Sequence, residues 1–202
     1  MSEETTTQPL AEGRRGRRPP PRISEGDFER AALRHLDRYS SSLAGLRAVL
    51  TRRAERSHAY HGGDREESRA IVDTTLSRMK DLGFLDDRRY AQALIRRLRR
   101  RGCSRRRIAS RLRAKGIDDG LGEELLDDAG DRGAEFEAAR IYARRRRLGV
   151  YRRDREEEAP GQAAPGKDEG READPLRRRR ELGALARAGF DFDVASRALE
   201  AE

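Results

Sequence analysis

Residues 83–117 read GFLDDRRYAQALIRRLRRRGCSRRRIASRLRAKGI. Asp86 or Asp87 is placed to cap a helix by accepting an amide hydrogen bond in its first turn. Tyr90, Ala91, Leu94, Ile95 and Leu98 then recur at helical spacing and make one apolar stripe, with Arg96, Arg99 and Arg100 projecting from the other side. Gly102 ends that helix, and Ser104 caps a second one carrying Ile108 and Leu112. Lys115-Gly116-Ile117 stops it with a cation in the last turn, a glycine free to take positive φ and an apolar residue to close over the end. Asp118 or Asp119 caps a third helix bearing Leu121, Leu125 and Leu126. Upstream, Lys80-Asp81-Leu82-Gly83-Phe84 ends an earlier helix by the same glycine device, and Leu85-Asp86-Asp87 begins the next. The stretch therefore opens on a joint between helical units. Gly83, Phe84, Leu85, Asp86, Asp87, Tyr90, Gly116 and Ile117 are assigned to structure.

The unit recurs. A shift of 62 residues sets Phe28 on Tyr90, Leu33 on Ile95, Leu36 on Leu98, Ser42 on Ser104, Leu46 on Ile108 and Leu50 on Leu112. Past an insertion the shift becomes 50, setting Ile71 on Leu121 and Leu76 on Leu126. Downstream, a shift of 46 sets Tyr90 on Phe136 and Ile95 on Ile141. A shift of 73 then sets Leu112 on Leu185, Gly116 on Gly189, Ile117 on Phe190, Leu121 on Val194 and Leu126 on Leu199. The expected fold is all-α: three tandem three-helix repeats in an elongated, curved array. The expected boundaries are 23–85, 86–130 and 131–202, with a short loop insertion at about 55–66 (ERSHAYHGGDRE) in the first repeat. A flexible Gly/Pro-rich acidic insertion is expected at about 152–174 in the third. Residues 1–22, polar and Pro-rich, read as a disordered basic tail.

Composition agrees with thin layers rather than one thick core. The 202 residues are 35% hydrophobic, 5% aromatic and 41% charged, with no Trp and a net charge of +9. Such a balance favours phosphate backbones or acidic protein surfaces as partners. Cys103 is the only cysteine, so no internal disulfide and no multi-cysteine zinc site can form. No apolar run approaches the ~20 residues of a membrane span, and the N-terminus lacks the apolar core of a signal peptide. A monomer in the cytoplasm, away from membranes, is the expectation.

Little here could carry catalysis. His58, His61 and Asp64 have some look of a metal site, but they fall in the inserted segment beside two glycines, without a rigid scaffold. Phosphate-binding glycine loops are absent from the sequence. Cys103 has arginines near it but no histidine in its own repeat to activate it. Helix capping accounts for Asp86 and Asp87 more simply than acid–base work does. No enzymatic activity, metal or cofactor is expected. What remains is charge: residues 96–113 hold ten arginines and no acid. Further runs stand at Arg144–Arg147 and Arg177–Arg180. Self-repulsion on that scale is relieved most simply by an anionic partner.

The segment 83–117 resembles the central signature of the RecX family. The resemblance is carried by Leu82-Gly83-Phe84-Leu85-Asp86-Asp87, Tyr90-Ala91, Gly102, Ser104, Ile108, Leu112 and Lys115-Gly116-Ile117. Weaker agreement extends it over about residues 28–202, outside the insertions. The resemblance implies a non-enzymatic helical-repeat protein that lies in the groove of the RecA–DNA filament. There it would inhibit strand exchange, ATP hydrolysis and the co-protease role in the SOS response. Arg96, Arg99, Arg100, Arg106, Arg107 and Arg111 are the candidate contacts, on one long basic face that meets acidic RecA surfaces or bound DNA. The rival expectation is a non-specific DNA-binding protein, since a basic three-helix unit also looks like a helix-turn-helix module. No Asn or Gln stands among the arginines to read base edges.

Overall fold

The structure, a computed structural model, describes residues 19–22, 24–130, 132–152 and 175–201. Most of the expected N-terminal tail and nearly all of the expected 152–174 insertion lie outside the described residues. Among those described there are nine α-helices and one 3-10 turn, and no strand. Three helices form each of three successive units. The first holds α1 (Glu25–Arg38), α2 (Leu43–His61) and α3 (Arg65–Asp81). The second holds α4 (Asp87–Arg99), α5 (Arg105–Arg113) and α6 (Asp119–Asp128). The third holds α7 (Arg132–Arg146), the turn Gly149–Tyr151, α8 (Pro175–Arg187) and α9 (Phe192–Glu200).

Each unit buries its own small core. Phe28, Leu46, Leu50, Leu76, Met79 and Leu85 fill the first, and Ala91, Leu94, Ile95, Ile108, Leu112 and Leu126 the second. The third is alanine-rich, with Ala138, Ala139, Ala195 and Ala198 letting α7 and α9 pack closely around Leu185, Phe190 and Leu199. The matched positions of the repeat are mostly buried together. Leu33 is the exception: it is 40% exposed, whereas its counterpart Ile95 is 2% exposed. Ala32, fully buried, holds that place on α1 instead.

The helix ends follow local chemistry. Asp86 caps α4 by accepting from the Arg89 amide at 2.9 Å, and Asp118 caps α6 by accepting from Leu121 at 3.1 Å. Ser24, Ser42, Asp64 and Ser104 cap α1, α2, α3 and α5 in the same manner. Gly116 has φ +69°, and the Ile117 amide donates back to Leu112 O at 3.1 Å.

The expected loop at 55–66 is largely helix. α2 runs on to His61 and α3 starts at Arg65, leaving 62–64 as the break. Accordingly α2 has 19 residues where α5 has 9, and α3 has 17 where α6 has 10. The reason is packing. Ala54, Ser57 and Ser68 are small and buried, so the two helices stay close beyond the core. The extension also holds the described N-terminal residues: Ser57 Oγ donates to Pro21 O at 3.0 Å, and His61 Nε2 lies 2.7 Å from Pro20 O. Phe84 departs from expectation too. It is 54% exposed, and Leu85 beside it, 4% exposed, makes the core contact.

Candidate functional site

The units meet through the same joint twice. At the first joint Ser42 Oγ, already the cap of α2, donates to Lys115 O at 2.6 Å, and the Leu43 amide donates to Asp87 Oδ1 at 2.8 Å. Gly116 lies against Ala44 so closely that a Cβ would overlap the Ala44 methyl. At the second joint Ser104 Oγ donates to Ala188 O at 2.6 Å, and the Arg105 amide donates to both Glu135 carboxylate oxygens at 3.0 Å. Gly189 faces Ser104, where a Cβ would stand 2.7 Å from the hydroxyl oxygen. Ser42 pairs with Ser104, Lys115 with Ala188 and Gly116 with Gly189 under the repeat shifts of 62 and 73. Of the two candidate caps, Asp86 caps α4, and Asp87 ties the second unit to the first.

Structure uses three of the ten arginines in 96–113. Arg99, with a side chain 13% exposed, is ion-paired to Glu135, itself 16% exposed. It belongs to the second joint and does not present a free face, unlike the expectation for it. Arg105 reaches Glu123 and Asp127, each at 2.8 Å. Partial burial disfavours the Arg105 charge, but hydrogen bonds to those two carboxylates outweigh it and raise its pKa. Arg113 stands 3.8 Å from Asp119. Arg96, Arg97, Arg100, Arg101, Arg106, Arg107 and Arg111 have no acidic partner among the described residues.

These seven do not share one face. Arg96 and Arg100 lie on the flank of α4 next to α6, in a hollow of about 450 Å³ with Gln92, Leu125, Asp128 and Ala129. Arg106 lines a cleft of about 890 Å³ that also holds the acids Glu123, Asp127, Asp191 and Asp193. Arg107 and Arg111 line a third cleft of about 390 Å³, between the second and third units. The expected single basic face is therefore three surfaces. One helical step turns the side chain by about 100°, so adjacent arginines on α4 part company.

The third cleft is cationic throughout. Besides Arg107 and Arg111, α4 and the turn after it bring Arg97 and Arg101, the turn after α5 brings Lys115, and α7 brings Arg145 and Arg146. No acidic side chain lines it. Its walls are fixed. Arg145 Nη1 donates to Arg101 O at 2.8 Å, and Arg146 lies over the Tyr142 ring at 5.7 Å. Gly102, at φ +72°, comes so near α7 that a Cβ would stand 2.7 Å from the Tyr142 amide nitrogen. Five of these cations, Arg97, Arg101, Lys115, Arg145 and Arg146, were not among the six candidate contacts. The spacing of the first three was nevertheless a signal: Arg97/Arg101 and Arg107/Arg111/Lys115 each recur at four residues, the step that keeps side chains on one side of a helix and its closing turn.

The other singled-out groups are absorbed locally. His58 Nδ1 lies 3.1 Å from Gly62 O and His58 Nε2 lies 2.8 Å from Ser68 Oγ, at the break between α2 and α3. Cys103 is half-buried on the floor of the cationic cleft. Among the described residues no helix is long and apolar enough to cross a membrane.

Comparison with known proteins gives these features a context. A family model described as "RecX, second three-helix domain" matches residues 86–126. A regulatory protein RecX of Myxococcus xanthus is 36% identical over 198 residues, covering 98% of this chain and 97% of its own length. Another, from Agrobacterium fabrum, is 27% identical over 169 residues, covering 84% and 79%. Among solved structures, the crystal structure of RecX from Lactobacillus salivarius matches with a TM-score of 0.57 over 87% of this chain and 94% of that one. At 18% identity that match is a likeness of fold.

Proposed function

This chain belongs to the RecX family of regulatory proteins, and from that premise we propose that it regulates the RecA recombinase by binding the RecA–DNA filament. In this reading it lies along the filament groove and inhibits strand exchange, ATP hydrolysis and co-protease activity, so modulating recombination and the SOS response. The observation that carries the reading is the repeated joint. Three units held in one register make a long, preorganised body rather than a flexible string. Such a body can touch successive subunits of a helical polymer, and contacts weak one by one then act together. The α6-side flank of α4, where Arg96 and Arg100 stand beside Asp128 and Ala129, is the surface offered to RecA in this reading. Arg99 is reassigned from contact to scaffold.

The test is RecA-catalysed ATP hydrolysis on single-stranded DNA while this protein is titrated in, with binding to bare DNA followed in parallel. Inhibition well below one regulator per RecA, at salt where bare-DNA binding is lost, supports the reading. Inhibition that only tracks occupancy of the DNA sinks it, and leaves competition for phosphates as the activity.

A further inference from the structure

We propose that the cleft between the second and third units binds the phosphodiester backbone of a nucleic acid strand without regard to sequence, apart from any contact with RecA. In the second and third units several arginines outside the cleft are met by acids from a neighbouring helix. Arg88 is held by both oxygens of Glu124 at 2.9 Å, Arg105 by Glu123 and Asp127, and Arg178 by Glu200. In the cleft seven cations converge with no acid among them. Their convergence concentrates positive potential where low-dielectric walls focus it.

The lining selects among anionic partners. A protein-binding surface presents an apolar, aromatic core inside a polar rim. Here the apolar residues of the cleft, Leu94, Leu98 and Tyr142, are buried or half-buried in the unit cores. Nucleic-acid interfaces are more polar and far more positive than protein interfaces. The cations also stand in order: Arg107 and Arg111 are four residues apart on α5, roughly 6 Å of rise, and Lys115 follows in the turn after it. A regular row answers a regular polyanion. Base recognition finds no support. No Asn or Gln lines the cleft, and the Tyr142 ring is engaged by Phe190 at 5.8 Å and Arg146 at 5.7 Å rather than free to stack. The joint fixes the two walls before anything binds, through Gly102 against α7 and Arg145 on Arg101 O.

The experiment omits RecA, so its failure and that of the filament reading are distinguishable. Binding of the full chain to a fluorescent oligo-dT is measured by anisotropy over a series of salt concentrations. The cleft variant carries Arg97→Gln, Arg101→Gln, Arg107→Gln and Arg111→Gln. A control loses the same charge outside the cleft, at exposed arginines of α2 and α8, with Arg52→Gln, Arg56→Gln, Arg179→Gln and Arg180→Gln. For a single strand, every phosphate left without its cation lowers the slope of log affinity against log salt by about 0.7, so the cleft variant should lose about 2 to 3. The control should keep most of its slope. A charge-keeping variant with Lys at the same four cleft positions should also keep it, which separates loss of the site from loss of the fold. Equal losses in cleft variant and control, or none in either, overturn the proposal. So does displacement of the oligonucleotide by poly-glutamate as effectively, charge for charge, as by unlabelled oligo-dT, which would make the cleft a seat for acidic protein segments.

Discussion

At the scale of single residues, Glu135 has an unusual share of duties. Its carboxylate pairs with Arg99 and accepts from the Arg105 amide, joining α7 to the end of α4 and the start of α5. Removing it leaves the Arg99 guanidinium mostly buried and without its acid, the circumstance in which loss of an ion-pair partner is most damaging. Glu135→Ala should cost about 3 kcal/mol in denaturant unfolding. A loss below about 1 kcal/mol would show that the pair is solvated and ordinary for a surface contact. Arg99→Gln would therefore blur any binding study in which it is included, because weakened binding and a loosened joint look alike. Gly116 is a second such point. An alanine there meets both an unfavourable positive φ and the Ala44 methyl, so Gly116→Ala should destabilise by more than about 1 kcal/mol. Gly83→Ala, at φ +75° with open space around the Cβ, should cost less. Near-equal melting temperatures for the two variants would mean that the first joint is not close-packed in solution.

At the scale of helices, the inserted segment of the first repeat shows what pattern reading sees and what it misses. Gly62-Gly63 and the polar run around them signalled a break, and a break is there. The break is three residues, because Ala54, Ser57 and Ser68 let α2 and α3 keep packing to the tip. Small buried serines carry no hydrophobic signature, so the periodicity that revealed the cores was silent on them. Backbone amides of residues 55–61 should exchange slowly with deuterium, as in α5, and not at loop rates. Fast exchange there would restore the loop. The repeats themselves were legible because apolar class survives at matched positions such as Leu46, Ile108 and Leu112. The division of the arginines was not, since their acids arrive from elsewhere in the chain: Glu123 and Asp127 from α6, Glu135 from α7. Nor could sequence show that α7 would bring Arg145 and Arg146 against Arg97 and Arg101. That depends on the angle between units, which the joints set.

At the scale of the whole molecule, those joints decide how the units depend on one another. Every major helix–helix contact lies within a unit, so each unit has its own core and the coupling between neighbours rests on a small interface. A cap serine, a carbonyl and a glycine recur at both interfaces: Ser42 on Lys115 O beside Gly116, and Ser104 on Ala188 O beside Gly189. Both serine side chains are buried, so losing the hydroxyl strands a carbonyl without water to replace it. Arrays of this type unfold as one transition while nearest-neighbour coupling is strong and separate when it weakens. Gly189→Val crowds the Ser104 hydroxyl and Arg106 without entering the packed interior of either unit as a polar group. It should split thermal unfolding into two steps, with the third unit melting first because its core is built largely from alanines. The same variant should lose binding to oligo-dT, since the cationic cleft takes one wall from each of the two units it pries apart. A single transition with unchanged DNA affinity would show that the second joint neither couples the units nor shapes the cleft. A split transition with unchanged affinity would keep the joint and relocate the nucleic-acid contact to one unit alone.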